Sequence, residues 1–230
     1  MDNYLNGVEV FCHSSIRIKR NVTVYIDPYK IEKEYHDADY IFFTHEHYDH
    51  FSPEDIKKVI KDSTILITVP NTLAEAMSLQ PDRSKIILVG PNESYDLKNI
   101  KFETVVAYNK TKLFHQKSKN WVGYIITIDN TRYYIAGDTD DLPELEDVKC
   151  DVAFVPVGGM YTMNYEEAAH LVNEMKPKIT VPIHYGLIIG TKEDAEEFKK
   201  KVNPDIKVEI LIKKENFAQK GTSPMGEIYI

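Results

Sequence analysis

At 230 residues the chain is long enough to bury one large core, and 43% apolar with 28% charged residues is the balance of an ordinary globular protein. Its 28 basic against 36 acidic side chains leave a net charge of −8, so nucleic acid and anionic membrane surfaces are not expected partners. No run approaches the ~20 apolar residues of a bilayer span, and membrane insertion is not expected either.

In chain order, short runs dense in β-branched and aromatic residues predict strands at Val8–Phe11, Val22–Ile26, Tyr40–Thr44, Ile65–Val69, Lys85–Val89 and Ile100–Ala107. They continue at Val122–Ile128, Tyr133–Ala136, Val152–Val157, Ile179–Ile183 and Val208–Ile212. Gly, Pro, Asn or Asp bounds each of them. Gly123 to Gly137 reads as a hairpin turning at Asp129-Asn130. Three helix starts fall between the strands. Ser52 caps a helix with Pro53 at its first position and an apolar face of Ile56, Val59 and Ile60. Asn164 with Glu167 opens a second, ending before Pro177, and Thr191 with Asp194 opens a third carrying Ala195 and Phe198. Strand–helix units mixed with hairpins argue for sheets covered by helices, an α+β arrangement in one domain over residues 1–230.

The beginning, Met1-Asp2-Asn3-Tyr4, lacks a basic stretch followed by an apolar one, so no signal peptide is expected. Only Cys12 and Cys150 are present, too few for a disulfide framework, which predicts two free thiols and a cytoplasmic location. Lys110, Lys112, Lys117 and Lys119 form a local basic run, read as a solvated loop rather than an anion cradle.

Chemistry concentrates where strands end. Tyr40–Thr44 runs into His45-Glu46-His47-Tyr48-Asp49-His50, Tyr133–Ala136 into Gly137-Asp138, and Ile179–Ile183 into His184. In extended chain His45 and His47 project to one side and can reach one ion. Imidazole with carboxylate suits zinc, iron or manganese. Three histidines and an aspartate in six residues after an apolar strand point to a shared metal. No Gly-x-Ser-x-Gly elbow occurs, and Gly158-Gly159 alone is a turn rather than a phosphate cradle.

His45-x-His47-x-Asp49-His50 resembles the signature of the metallo-β-lactamase superfamily. Cys12-His13-Ser14-Ser15 with Ile26-Asp27-Pro28, Ala136-Gly137-Asp138-Thr139 and Pro182-Ile183-His184-Tyr185-Gly186 are similar to its other motifs, in the same order. The resemblance implies a four-layer αββα sandwich holding two metal ions, with zinc preferred over iron or manganese. It implies His45 and His47 on the first ion, Asp49, His50 and His184 on the second, and Asp138 bridging them. Asp49 would also accept the nucleophile's proton, and Asp27 would orient a ligand histidine. His13 would lie near the site, packed, hydrogen-bonded or functional.

The chain departs from the family pattern at the third histidine of the first ion. The matching stretch, Val105-Val106-Ala107-Tyr108-Asn109, has none. Asn109 is a weak oxygen donor, and His115 is either a replacement ligand or a substrate contact. The implied activity is hydrolysis of an ester, lactone, amide or phosphodiester bond in a small molecule. Gly158-Gly159-Met160-Tyr161-Thr162-Met163 is similar to the branch of ascorbate-phosphate lactonases and N-acyl phospholipid phosphodiesterases. Two rival readings are a metal-dependent nuclease and a metal-poor ligand-binding or regulatory module. Trp121, Tyr108 and Tyr161 line a pocket or belong to the core, and the sequence does not name an oligomeric state.

Overall fold

The computed structural model describes residues 4–213, so the reading of the first residues as lacking a signal segment lies partly outside the described residues. Its strands are β1 (Val8–Cys12), β2 (Ser15–Lys19), β3 (Thr23–Ile26), β4 (Tyr40–Phe42), β5 (Ile65–Thr68), β6 (Ile86–Leu88) and β7 (Ser94–Leu97). They continue as β8 (Ile100–Val106), β9 (Val122–Ile128), β10 (Thr131–Ile135), β11 (Val152–Pro156), β12 (Ile179–Ile183) and β13 (Lys207–Val208). The helices are α1 (Pro53–Val59), α2 (Leu73–Leu79), α3 (Pro143–Glu146), α4 (Tyr165–Met175) and α5 (Lys192–Lys201).

The strands form two sheets, six-stranded in the order β1-β2-β3-β4-β5-β6 and seven-stranded in the order β13-β12-β11-β10-β9-β8-β7. In the first sheet β1, β2 and β3 pair antiparallel, and β3 through β6 pair parallel. The second sheet repeats this division, with β7 through β10 antiparallel and β10 through β13 parallel.

Side-chain alternation sorts the layers. Tyr40 and Phe42 of β4 join the large core shared with the second sheet, whereas Ile41 and Phe43 face Ile56 and Val59 of α1 and Ala76 of α2. In β3, Val24 and Ile26 point inward while Tyr25 joins the helix side. Ala168, Leu171 and Val172 of α4, with Ala195 and Phe198 of α5, pack into the core of the second sheet. The order is helices, sheet, sheet, helices: the expected αββα sandwich.

Local signals account for most element ends. The β9–β10 hairpin turns on Asp129 and Asn130, both at positive φ (47° and 61°), which gives the twist of a two-residue type I′ turn. Asn164 accepts from the backbone N–H groups of Glu166 and Glu167, and Glu167 accepts from the Asn164 N–H. Lys176 then ends α4 in the left-handed conformation just before Pro177. At α5, the Asp194 carboxylate accepts from the Thr191 N–H at 2.6 Å.

The structure corrects the sequence reading at β2, β7, α2 and the last expected strand. Strand β2 was not expected, because Arg17 and Lys19 interrupt its apolar residues, and β7 is a polar edge strand. Helix α2 follows a single turn at Pro70–Thr72 and has no side-chain cap to announce it. The expected strand Val208–Ile212 shrinks to Lys207–Val208, which pairs with Ile179 and Thr180.

Asp55 ties α1 to the preceding loop. Its buried carboxylate accepts from the backbone of Lys30 and Ile31, the Ser52 hydroxyl and Lys58. Asp55→Ala orphans two backbone N–H groups and is expected to cost about 2–4 kcal/mol, measured by urea unfolding. Burial opposes the charge, but Lys58, Ser52 and the two N–H donors outweigh it and hold the Asp55 carboxyl below its ordinary value. Its contribution is therefore present above the unfolded pKa of about 4 and lost as pH falls through the lower folded value. The gap between wild type and variant should stay constant down to about pH 4 and close below it.

Candidate metal centre

Strand ends build the site. His13 follows β1, Asp27 follows β3, Asn109 lies just past β8, Asp138 just past β10, and His184 directly follows β12. The segment after β4 supplies Thr44, His45, His47, Asp49 and His50. His13, Asp27 and His184 have φ of 49°, 45° and 57°. Non-glycine residues enter this left-handed region at a cost, and several together mark a segment that the surroundings hold in place. Gly137 serves the same turn as Asp138: at φ +66° an added Cβ would sit 3.0 Å from the Val122 carbonyl oxygen.

Asp27 organises the first half. Its Oδ1 accepts from the Thr44 N–H at 2.9 Å, and its Oδ2 accepts from the Thr44 hydroxyl and from His50 Nδ1, both at 2.7 Å. The Thr44 oxygen in turn lies 3.0 Å from His45 Nδ1. These bonds leave the Nε2 atoms of His45 and His50 facing the interior of the cluster. His45 Nε2 and His47 Nδ1 approach to 3.0 Å. They meet across a bend rather than along extended chain, because His50 and Phe51 both donate backbone hydrogen bonds to the His47 carbonyl. The expected alternation is thus not what pairs them.

Two groupings emerge. His45, His47 and His115 place one nitrogen each within 4.8 Å of one another, as do one atom each from His13, Asp49, His50 and His184. Asp138 lies between the groups: its Oδ2 is 3.1 Å from His115 Nε2 and 3.1 Å from His184 Nε2, and its Oδ1 is 3.3 Å from His50 Nε2. Atoms bound to one ion at 2.0–2.2 Å are spaced roughly 3–4 Å apart, so the donor set fits a metal pair. His50 Nε2, His115 Nε2, His184 Nε2 and Asp138 Oδ1 are buried with no hydrogen-bond partner. Four orphaned donor or acceptor atoms in one place, each costing about 1–3 kcal/mol, are accounted for when a cation takes their lone pairs.

Of the two candidates for the missing third histidine, His115 faces the cluster. Asn109 does not: its Oδ1 holds His115 Nδ1 at 2.9 Å, fixing the tautomer that leaves Nε2 free. Asn109 Nδ2 donates to Asp140 Oδ1 at 2.8 Å, and Lys112 Nζ reaches the same oxygen at 2.5 Å. Asp140 was not singled out from sequence and Lys112 was read only as part of a solvated basic run, whereas its Nζ bonds Asp140 and the Thr162 carbonyl. Trp121 is buried and forms the wall, its ring 4.7 Å from His45 and 4.9 Å from His47. His13 is fully buried; Nε2 lies 3.1 Å from Asp49 Oδ2, and its ring sits 3.8 Å from that of His184.

Without metal the charges are uneven. Burial would depress His50, but Asp138, Asp49 and Asp27 around it outweigh burial and raise its pKa well above the imidazole range. Burial favours protonated Asp49 and Asp138, yet nearby histidines hold both well below the carboxylate range. His13 is pushed down to about 4 by burial and His184, and burial also lowers His45 and His47. Those three imidazoles take protons more readily unfolded than folded, so their contribution is lost as pH falls through about 6.5. His50 has the opposite sign, stabilising at low pH. With three groups against one, chelator-treated protein should lose thermal stability between about pH 7.5 and 5. Asn109→Ala should weaken the affinity for one divalent ion by about 10–100-fold in competition with a chromophoric chelator. Unchanged affinity would remove His115 from the coordination.

Burial pushes both cysteine thiols up to about 12, and both are free. Neither supplies a thiolate at neutral pH. Among the described residues no helix is long and apolar enough to cross a membrane.

Residues 8–184 match the beta-lactamase superfamily domain. A UPF0173 metal-dependent hydrolase of Thermococcus onnurineus is 30% identical over 214 residues, covering 86% of this chain and 93% of that one. A crystal structure from Parabacteroides distasonis, assigned as a metal-dependent hydrolase, is 33% identical with a TM-score of 0.76, covering 90% and 93% of the two chains. The diiron β-hydroxylase CmlA of Streptomyces venezuelae is 12% identical, with a TM-score of 0.71 over 89% of this chain and 52% of that one, and shares the fold. Sequence and architecture agree that the chain belongs to the beta-lactamase superfamily, in its UPF0173 branch of metal-dependent hydrolases.

Proposed function

We propose that this protein is a dinuclear hydrolase, with zinc as its metal, that activates water against an ester, lactone, amide or phosphodiester bond of a small molecule. The observation that carries this reading is the placement of Asp138 between the two groupings, with both its oxygens facing histidine nitrogens. His45, His47 and His115 would hold one ion, Asp49, His50 and His184 the other, and Asp138 both. Such a pair lowers the pKa of water towards neutrality and polarises the bond under attack.

The remaining work falls to this chain's own groups. Asp49 is the more exposed of the two carboxylates, 8% against 3% for Asp138, and is the one placed to take the proton from the attacking water. Its Oδ2 is held by His13, whose N–H fixes the rotamer. Asp27 and Asn109 set the tautomers of His50 and His115. Histidine and carboxylate donors without thiolate also suit iron, and the diiron neighbour makes iron the second candidate. Two free thiols fit a reducing compartment, which supports a cytoplasmic location.

Elemental analysis of protein purified without added metal or chelator tests the reading. Close to two ions per chain are expected, falling in Asp138→Ala. In Asp49→Ala, kcat on a substrate that is turned over should fall by about 10²–10⁴. Folded protein that neither carries nor takes up zinc or iron would overturn the hydrolase reading and favour a binding module.

A further inference from the structure

Resting on the hydrolase reading, we propose that the substrate carries an apolar alkyl or aryl group beside an uncharged acyl bond, received by a collar of Tyr48, Leu113, Phe114, Met160 and Tyr161. Among the described residues the exposed large hydrophobics are Tyr48 (62%), Met77 (43%), Leu113 (86%), Phe114 (49%) and Met160 (64%). A single exposed apolar residue is unremarkable; clustering carries information. All of these but Met77 sit on segments that carry a candidate ligand or pass against one. Tyr48 lies between His47 and Asp49, and Leu113-Phe114 directly precede His115. Met160 and Tyr161 follow Gly158, where the backbone passes so close to His184 that an added Cβ would sit 2.3 Å from its carbonyl oxygen.

Two of the segments meet. Phe114 and Tyr161 pack edge to face with centroids 4.8 Å apart. The Tyr48 ring lies 6.1 Å from that of Tyr29. Met160, like His115, is held at positive φ, so this rim is shaped rather than slack.

Charge narrows the class further. Three of the four lysines in the 110–119 run are already paired: Lys112 with Asp140 and the Thr162 carbonyl, Lys117 with Glu144, Lys119 with Glu46. They are not a free cationic cradle for a phosphate group. Beyond the two ions of the hydrolase reading, an apolar rim with these three lysines paired adds no further cation for a charged substituent, which suits a hydrophobic ester, lactone or amide better than a phosphodiester.

The test uses metal-loaded full-length protein and p-nitrophenyl esters from acetate to octanoate, with bis(p-nitrophenyl) phosphate alongside. At about 2-fold per methylene, half the effect of full burial, kcat/KM should rise roughly 60-fold over the six methylenes of the series and exceed that on the phosphodiester. Leu113→Ser and Phe114→Ser should flatten the rise, and Met77→Ser, away from the collar, should leave it steep. A flat series in wild type, a rise untouched by the collar variants, or preference for the phosphodiester overturns the proposal. Calorimetric binding of acetohydroxamate and octanohydroxamate needs no turnover. Tighter octanohydroxamate binding with no ester or phosphodiester cleaved would sink the hydrolase reading and leave apolar recognition standing. Equal binding of the two overturns the collar itself. Co-sedimentation with phosphatidylcholine vesicles, lost in the collar variants and accompanied by a flat ester series, would assign the rim to a lipid surface instead.

Discussion

The contact on which the site depends is the buried carboxylate of Asp27, which receives the Thr44 N–H, the Thr44 hydroxyl and His50 Nδ1 at once. With those bonds made, the chain leaving β4 has one course, and the histidines that follow have one orientation. Asp27 itself emerges from β3, which pairs parallel with β4, so the contact is between neighbouring strand ends in one sheet. Removing it would free a buried charge as well as a ligand orientation, and such losses are among the most costly single changes in a protein interior.

A second consequence is strain. His13, Asp27, His115 and His184 occupy the left-handed region, where a side chain bearing Cβ is disfavoured. Each is fixed by a partner: His184 donates its N–H to the His13 carbonyl, and Asn109 donates its own to that of His115. Both sheets thus contribute to one rigid set of donors. Preorganisation of this kind lets a metal bind without reshaping the protein, and it explains why buried imidazoles with no hydrogen-bond partner persist here.

Much of this was legible in the sequence, for physical reasons that differ by residue. Ser52, Asn164 and Asp129-Asn130 act within their own few residues, so their caps and turn could be read directly. His45 through His50 declare themselves because so many ligating side chains in one short run have no other common purpose. The choice between His115 and Asn109 was not legible. It depends on the Asn109–His115 loop folding back so that one side chain holds the other, a contact set by Lys112 within the loop and Asp140 from elsewhere. Strand β2 was missed because its charged residues lie between apolar ones that turn into the core. Alternation in so short a run is weak without a partner strand to reveal it.

The two halves of the proposed centre rest on unequal supports. Asp49 and His50 lie on the segment leaving β4, central in its sheet, and His184 directly follows β12, whereas His115 comes from a loop held by the Asn109–Asp140–Lys112 chain. The same loop carries Leu113 and Phe114, and Lys112 also reaches the carbonyl of Thr162, beside Tyr161. The contacts that would present His115 to an ion therefore also hold the loop that carries the rim. In the proposed reading, coordination and substrate recognition would share one loop, with His115 both a ligand and a support of the surface above it. A family histidine on the rigid end of β8 would have separated these roles; placing it six residues later joins them.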